Sequence, residues 1–346
     1  MKKSIFLSLL CFLFLTTSCE DFFEYEGDCD VTHEIRFVYD MNLKWANAFS
    51  SEVKSVNLYV FDNEGVFVKE YIVRGNALKQ SDYGIILDLP TNHSYQFLAW
   101  CGLDNTRDEE ESFIVPSPQI GITSIEEMSA TLRTIEENGL RVSDNRLNFF
   151  FHGYIETYLT DNHNGQHYIH TIPLTKDTNH IRIMLQQVNG NLNEDDFYIK
   201  LEADNGVLAW NNLPQPNIPV TYTPWNFESD ILGVGNSEGE QVEYFGVIAD
   251  LSTSRLMAEE SSSLFLTVSD KEDGTLLFKV PMIQYFLSEK NYYEMAYGHD
   301  MTDQEFLDRQ DEYFMTFFLD DKMQWLYAVI EILEWRVVIK NYEVSS

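Results

Sequence analysis

Four cysteines and a cluster of histidines are the residues of this chain best able to do chemistry, and their settings differ. Cys19 follows Met1-Lys2-Lys3, an almost unbroken apolar run from Ile5 to Leu15, and the small residues Thr16-Thr17-Ser18. The run is too short to span a bilayer and has the proportions of a secretory signal's apolar region. Small residues directly before a cysteine then resemble a bacterial lipoprotein signal cut between Ser18 and Cys19, leaving the Cys19 thiol to take lipid. Such signals usually carry leucine three residues before the cysteine; here Thr16 holds that place and Leu15 stands one further back. The alternative is an ordinary secretory signal with a coincidental cysteine. Cys11 leaves with the signal, so Cys29 and Cys101 remain as a pair in a compartment that permits disulfides. A Cys29–Cys101 bridge would staple the lead-in to the first domain, stabilising by roughly 4 kcal/mol in the loop-entropy model. The other possibility is two free thiols.

The remaining constellations are weaker. His163, His167 and His170 lie near Asp161, but in a polar turn leading into an apparent strand, and they match no familiar metal-ligand spacing. Asp62-Asn63-Glu64-Gly65 lacks the later ligands of a calcium loop and reads as a turn. Carboxylates are so abundant that some pair falls at glycosidase separation by chance. There is no GxSxG, HExxH, phosphate loop or dinucleotide fingerprint. The chain therefore reads as a non-enzyme with no cofactor and no metal site. Trp45, Trp100, Trp210, Trp225, Trp325 and Trp335 suit either a sugar platform or the packing usual for aromatics in a β-rich chain.

The elements that must position these residues are mostly strands. Ile35, Phe37 and Tyr39 alternate with polar neighbours, as do Val56, Leu58 and Val60, and Asp62 to Gly65 turns the chain into Val66-Phe67-Val68. Ile85, Leu87 and Leu89 stop at Pro90, and Tyr95, Phe97, Ala99 and Cys101 alternate again. In the second half Ile181, Ile183 and Leu185 share one face, as do Phe197, Ile199 and Leu201. Leu264 to Leu266 and Leu276 to Phe278 flank a turn, and Trp335 to Ile339 forms a last strand. Many short strands between turn signals predict β-sandwiches rather than βαβ units. Helices are few and short: Ser124-Ile125-Glu126-Glu127 and Thr302-Asp303-Gln304-Glu305 fit the capping-box pattern, the second before Phe306 to Asp311.

The chain has 346 residues, 23 Lys+Arg and 56 Asp+Glu. Loss of residues 1–18 removes two lysines and no acid, taking the formal charge from −33 to −35. Such a charge argues against nucleic acid as a partner and against spreading on an anionic membrane. With 44% hydrophobic and 14% aromatic residues the chain is no disordered polyanion. The organisation expected is a signal over 1–18, an acidic tether over 19–32, and β-sandwiches over 33–160 and 161–346. The polar stretch Thr160 to Gly165 is either the border between them or a hairpin tip, which would move the border by about ten residues.

Several stretches resemble the FimB-type fimbrial anchor lipoproteins of Bacteroidetes, the fimbrillin-A-associated anchor proteins. They are Phe23 to Cys29, Arg36 to Asn42, Glu52 to Asp62, Leu98 to Leu103 and Phe151-His152-Gly153 in the first half. Leu174 to Asn179, Ile181-Arg182, Asp308 to Tyr313, Met315 to Asp320 and Trp335 to Val338 carry the likeness through the second. It implies two tandem transthyretin-like β-sandwiches with few short helices. It also implies an outer-membrane lipoprotein, surface exposed and acylated on Cys19 (for example with palmitate), that holds the base of a fimbria and aids its assembly. The implied partners are fimbrial stalk or accessory subunits, met by strand-type contacts in which main-chain hydrogen bonds give affinity and seated side chains give register. Glu20 and Asp21 are in keeping with surface export. The alternative function is a surface lipoprotein that binds glycans through exposed aromatics. Trp335 to Ile339 is expected to be integral to the second sandwich, with a partner docking on another edge.

Overall fold

The computed structural model describes residues 31–103, 111–162, 166–187, 190–237, 240–259, 264–332 and 335–340. The first half opens with β1 (Thr32–Val38) and one helical turn, α1 (Phe49–Glu52). The hairpin of β2 (Ser55–Asp62) and β3 (Phe67–Arg74) follows, then β4 (Gly84–Ile86) and β5 (His93–Cys101). Four short strands come next: β6 (Phe113–Ile114), β7 (Ser129–Leu132), β8 (Ile135–Glu137) and β9 (Leu140–Ser143). The half ends with β10 (Phe151–Leu159), β11 (His167–Pro173) and β12 (Thr175–Lys176). The second half runs through β13 (Thr178–Gln187), β14 (Phe197–Ala203), β15 (Val207–Ala209) and β16 (Val220–Tyr222). Two hairpins follow, β17 (Asn226–Ser237) with β18 (Glu240–Ser254) and β19 (Leu264–Asp270) with β20 (Leu276–Pro281). Helices α2 (Met282–Tyr297) and α3 (Asp303–Arg309) lead into β21 (Glu312–Leu319), β22 (Trp325–Ile332) and β23 (Trp335–Lys340).

The all-β sandwich architecture is as expected. In the first half a five-stranded sheet, β12-β10-β5-β2-β3, faces a three-stranded sheet, β11-β1-β4. Val56, Leu58, Val60, Phe97 and Ala99 pack between them with Ile35, Phe37 and Ile172. The alternation along β5 accounts for only one of its faces. Leu98 and Trp100 are just as buried on the other, under a small sheet β15-β7-β6 that brings Phe113, Ala130, Leu132 and Leu208. A strand buried on both faces reads as a continuous apolar run, which is what Phe97-Leu98-Ala99-Trp100-Cys101 shows. Gly102 then turns the chain with φ +97, and a Cβ there would sit 1.9 Å from the Phe149 carbonyl oxygen.

The second half is a sandwich of two six-stranded sheets, β17-β18-β13-β21-β22-β23 and β20-β19-β14-β16-β9-β8. The halves exchange strands. β9, from the first half of the sequence, pairs in parallel with β16, while β15, from the second, pairs with β7. One apolar cluster accordingly runs unbroken from Trp100 and Phe113 through Ile183 and Leu201 to Phe317.

Two details go beyond the sequence reading. The polar stretch around Thr160 to Gly165 connects β10 in one sheet with β11 in the facing sheet, and β11 pairs along its length with β1. Residues 167–176 thus stay with the first sandwich, and the border we propose falls at Asp177, between β12 and β13. The 16-residue helix α2 was also unforeseen. Pro281 precedes it with no side-chain cap, and its apolar residues are scattered among Gln, Ser, Glu and Asn. Its end alone is signalled, by Gly298 in the left-handed region at φ 71. The two capping signals did mark helix starts. Ser124 and Glu127 form a reciprocal capping box on a single 3-10 turn, and the Thr302 hydroxyl accepts from the Glu305 N–H at 3.0 Å ahead of α3.

Candidate functional site: a charged joint and the entry to β1

Charged side chains are buried where the two sandwiches meet. Lys176, at the end of β12, is almost fully buried. Its ammonium group reaches Glu52 Oε2 at 2.7 Å and Asp311 Oδ2 at 2.5 Å and sits 3.9 Å over the Phe149 ring. The next residue, Asp177, is wholly buried and accepts from Asn212 Nδ2 at 2.8 Å. Arg255 Nε lies 3.8 Å from Asp177, too far for a good hydrogen bond, because its guanidinium is engaged with Asp308 at 2.8–3.0 Å. Burial pushes the Asp177 carboxyl up to about 7 against the opposing pull of Arg255.

Helix α3 closes the joint from the other side. Arg309 is held by Glu305 one turn back at 2.9 Å and donates to the carbonyl oxygens of Asp40 (2.9 Å) and Asn42 (3.3 Å). Its guanidinium also stacks 3.4 Å over the Trp45 ring. In β10, His152 Nε2 lies 2.7 Å from the Trp210 carbonyl oxygen, so that nitrogen carries the proton; burial pulls the imidazole down to about 4 and keeps it neutral. Buried ion pairs of this kind are poor sources of net stability but costly to break on one side. Their effect here is to fix how one sandwich sits on the other. The stretches Arg36 to Asn42, Leu174 to Asn179 and Asp308 to Tyr313, which carry the family resemblance, supply Asp40, Asn42, Lys176, Asp177, Asp308, Arg309 and Asp311.

The opposite end of the first sandwich is where the chain enters β1. His33 Nε2 lies 3.0 Å from the Thr160 carbonyl oxygen, and Leu159 before it pairs with His93 at the start of β5. His33 also stacks on His170, and His167 Nε2 meets Glu34 Oε2 at 2.6 Å beside Arg36. The Arg36 hydrogen bond, with help from His167, holds the Glu34 carboxyl below its usual range despite burial. Gly84 of β4 makes room for that carboxylate, since a Cβ there would lie 2.0 Å from Glu34 Oε1. His163 lies outside the described residues. Among the described residues no group of three or more His, Cys, Asp or Glu is arranged to hold a metal ion.

Cys19 and Cys29 lie outside the described residues; Cys101 is fully buried at the far end of β5. It pairs with Phe151, whose ring meets Tyr39 just past the end of β1 at 5.0 Å. Cys101 and the entry to β1 are thus separated by the length of β1, about 20 Å for seven residues. Cys29 is three residues before Thr32, a reach of about 11 Å at most. The Cys29–Cys101 bridge stays a proposal with a geometric requirement: β1 would have to leave the place it holds here.

Strand edges are the other candidate. β23 pairs with β22 from Lys340 to Trp335 and forms the edge of its sheet, so the last strand is integral to the second sandwich. Trp100 is fully buried, and Trp45, Trp210 and Trp325 pack against the core.

Comparison with known proteins agrees with this architecture. The family of fimbrillin-A associated anchor proteins Mfa1 and Mfa2 matches residues 25–341. No curated protein matches the sequence. A candidate adhesin from Bacteroides thetaiotaomicron is 32% identical with a TM-score of 0.75, covering 90% of this chain and 99% of that one. A candidate polysaccharide-binding protein from the same organism is 25% identical with a TM-score of 0.73, covering 92% and 100%. The fimbrial anchor protein Mfa2 from Porphyromonas gingivalis shares the fold at 15% identity, with a TM-score of 0.66 and coverage of 91% and 100%. The chain belongs to the family of fimbrillin-A associated anchor proteins.

Proposed function

We propose that the protein is a surface-exposed outer-membrane lipoprotein, acylated on Cys19, that holds the base of a fimbria and joins fimbrial subunits through strand-type contacts. The observation that carries this reading is the load path. The chain enters at one end of the first sandwich, and the buried joint locks the second sandwich to the other end. A pull applied to the second sandwich reaches the tether through fixed ion pairs and a shared apolar core, not through a flexible linker. Among the described residues no helix is long and apolar enough to cross a membrane. Acyl chains on Cys19 would supply the attachment, with two or more needed for stable anchoring.

Cys19→Ala should move the protein from the membrane fraction to the soluble fraction and shed fimbriae into the medium. A variant that still sediments with membranes after a salt wash overturns the lipid-anchor reading. A second reading, a surface glycan-binding lipoprotein, draws on the 25% identical candidate polysaccharide-binding protein. Saturable binding of oligosaccharides by calorimetry, with fimbriae retained normally in a deletion strain, would favour it.

A further inference from the structure

We propose that the end of the first sandwich where the chain enters β1 rests on the lipid surface, with Ile120 and Ile122 as its contact. The inference relies on the Cys19 anchor and goes beyond it by giving the anchored molecule an orientation. Ile120 and Ile122 are 73% and 72% exposed, the two most exposed isoleucines among the described residues. They are not on a loose strap. The Gly121 N–H donates to the Phe67 carbonyl oxygen, and the Phe67 N–H donates to that of Thr123. The Ile125 N–H donates to the Gly65 carbonyl oxygen, and Gln119 is bonded to Thr123 through main chain and hydroxyl. The loop is pinned to the β2–β3 turn, with both isoleucines pointing outward.

That turn lies at the tether end of the sandwich. Asp62 pairs with Tyr95 near the start of β5, and the entry to β1 lies beside Thr160 at the same end. Tyr158, 54% exposed, stands there too, opposite Ser94, and brings the apolar ring and polar tip that suit a headgroup layer. Thirteen residue steps separate Cys19 from Thr32, which allows about 45 Å at full extension and lets the end approach the bilayer closely. The chemistry is apolar insertion rather than charge attraction. Glu64, Glu126 and Glu127 flank the isoleucines, and no Lys or Arg occurs between Glu111 and Leu132. The contact should therefore suit a zwitterionic surface and survive high salt.

The test uses acylated protein in phosphatidylcholine vesicles that contain a doxyl-labelled lipid. Cys29→Ser is combined with Ile120→Cys, or with Met295→Cys on α2 of the second sandwich (83% exposed), and each is labelled with an environment-sensitive fluorophore. Ile122→Cys serves as a second probe of the loop, and unchanged melting temperatures check folding. We expect protein floating with the vesicles to show at least twofold stronger quenching at 120 than at 295, unchanged in 1 M salt. Floating protein with equal, weak quenching at both sites overturns the inference and leaves the anchor intact. Protein that does not float overturns the anchor and the inference with it. A label at 120 that vesicles do not affect but an added fimbrial subunit shields shows a protein-docking site instead, and also overturns it.

Discussion

The two ends of the first sandwich solve opposite problems. At the joint, Lys176, Asp177, Arg255, Asp308 and Arg309 are buried or nearly so and hold one another in place. At the end where the chain enters β1, Ile120, Ile122 and Tyr158 are turned outward, on the same end as the Glu34–Arg36–His167 cluster. Over an apolar interior, the first end adds buried charge and the second adds exposed Ile120 and Ile122, each against the usual sorting of residues. The contrast teaches where specificity is needed. Apolar contacts alone would let the sandwiches slide, whereas a buried charge network has one satisfied geometry. At the other end Ile120 and Ile122 stay open to solvent, while the Tyr158 hydroxyl donates to Asn92 Oδ1 at 3.4 Å.

The sharpest way to break the comparison is at Arg255. Arg255→Ala leaves Asp308 and Asp177 facing each other across a buried space, and we expect a loss of about 3–5 kcal/mol in denaturant unfolding. Lys69→Ala, which removes an ion pair whose Asp88 partner is 97% exposed, should cost no more than about 1 kcal/mol. Equal effects of the two would mean that the joint holds nothing special.

A second effect, opposite in sign, belongs to Glu289 on α2. It is 3% exposed, and burial pushes its carboxyl up to about 8. An acid whose folded pKa is raised favours folding when protonated; that contribution is whole below about pH 4 and lost as pH climbs toward 8. Asp177, at about 7, has the same sign. Glu34 and Asp250, both lowered, act the other way and lose their contribution as pH falls. Glu289→Gln should therefore stabilise at pH 8, by an amount on the order of a few kcal/mol, and change little at pH 4. A thermal-shift series from pH 4 to 8 that shows the same offset throughout would disprove the burial argument.

Cys101 offers a smaller and more discrete test. Burial raises its thiol far above the usual range, so it should resist alkylation in the native protein. With β1 in its present place the proposed bridge cannot close, and two alkylatable thiols, Cys29 and Cys101, would appear in non-reducing denaturant from periplasmically made protein. Finding none would mean the bridge forms and that β1 is displaced in the oxidised chain.

How far the sequence reveals this arrangement depends on strand length and on what covers each face. β1, β2, β5, β13 and β14 are long enough to show a period of two, and they were legible. β6 to β9 and β15 have two to four residues each, too few for any periodicity, so the third sheet and the strand exchange were not. The second buried face of β5 lay in plain view as Leu98 and Trp100 but could not be told from ordinary packing. The joint was invisible to composition for a different reason. Lys-Asp in Leu174 to Asn179 and Asp-Arg in Asp308 to Tyr313 look like solvated charge. Only family likeness marked those stretches, and nothing marked Arg255, whose partners lie 53 and 78 positions away.

The smallest expected effect concerns the C-terminus. β23 lies along β22 as an edge strand, with Val338 55% exposed on its outer face. An edge strand can either receive a partner's strand or be given away, and these make different demands on the six residues that follow. Donation needs a free length comparable with a strand. Trp335 to Lys340 are already committed to β22. Deleting Asn341 to Ser346 should therefore shift the melting temperature by no more than a degree or two and leave fimbriae on the cell. Shedding of fimbriae by a folded, membrane-bound deletion variant would move the fibre joint to this edge. The load path would then end at β23, and Trp335→Ala would become the next residue to test.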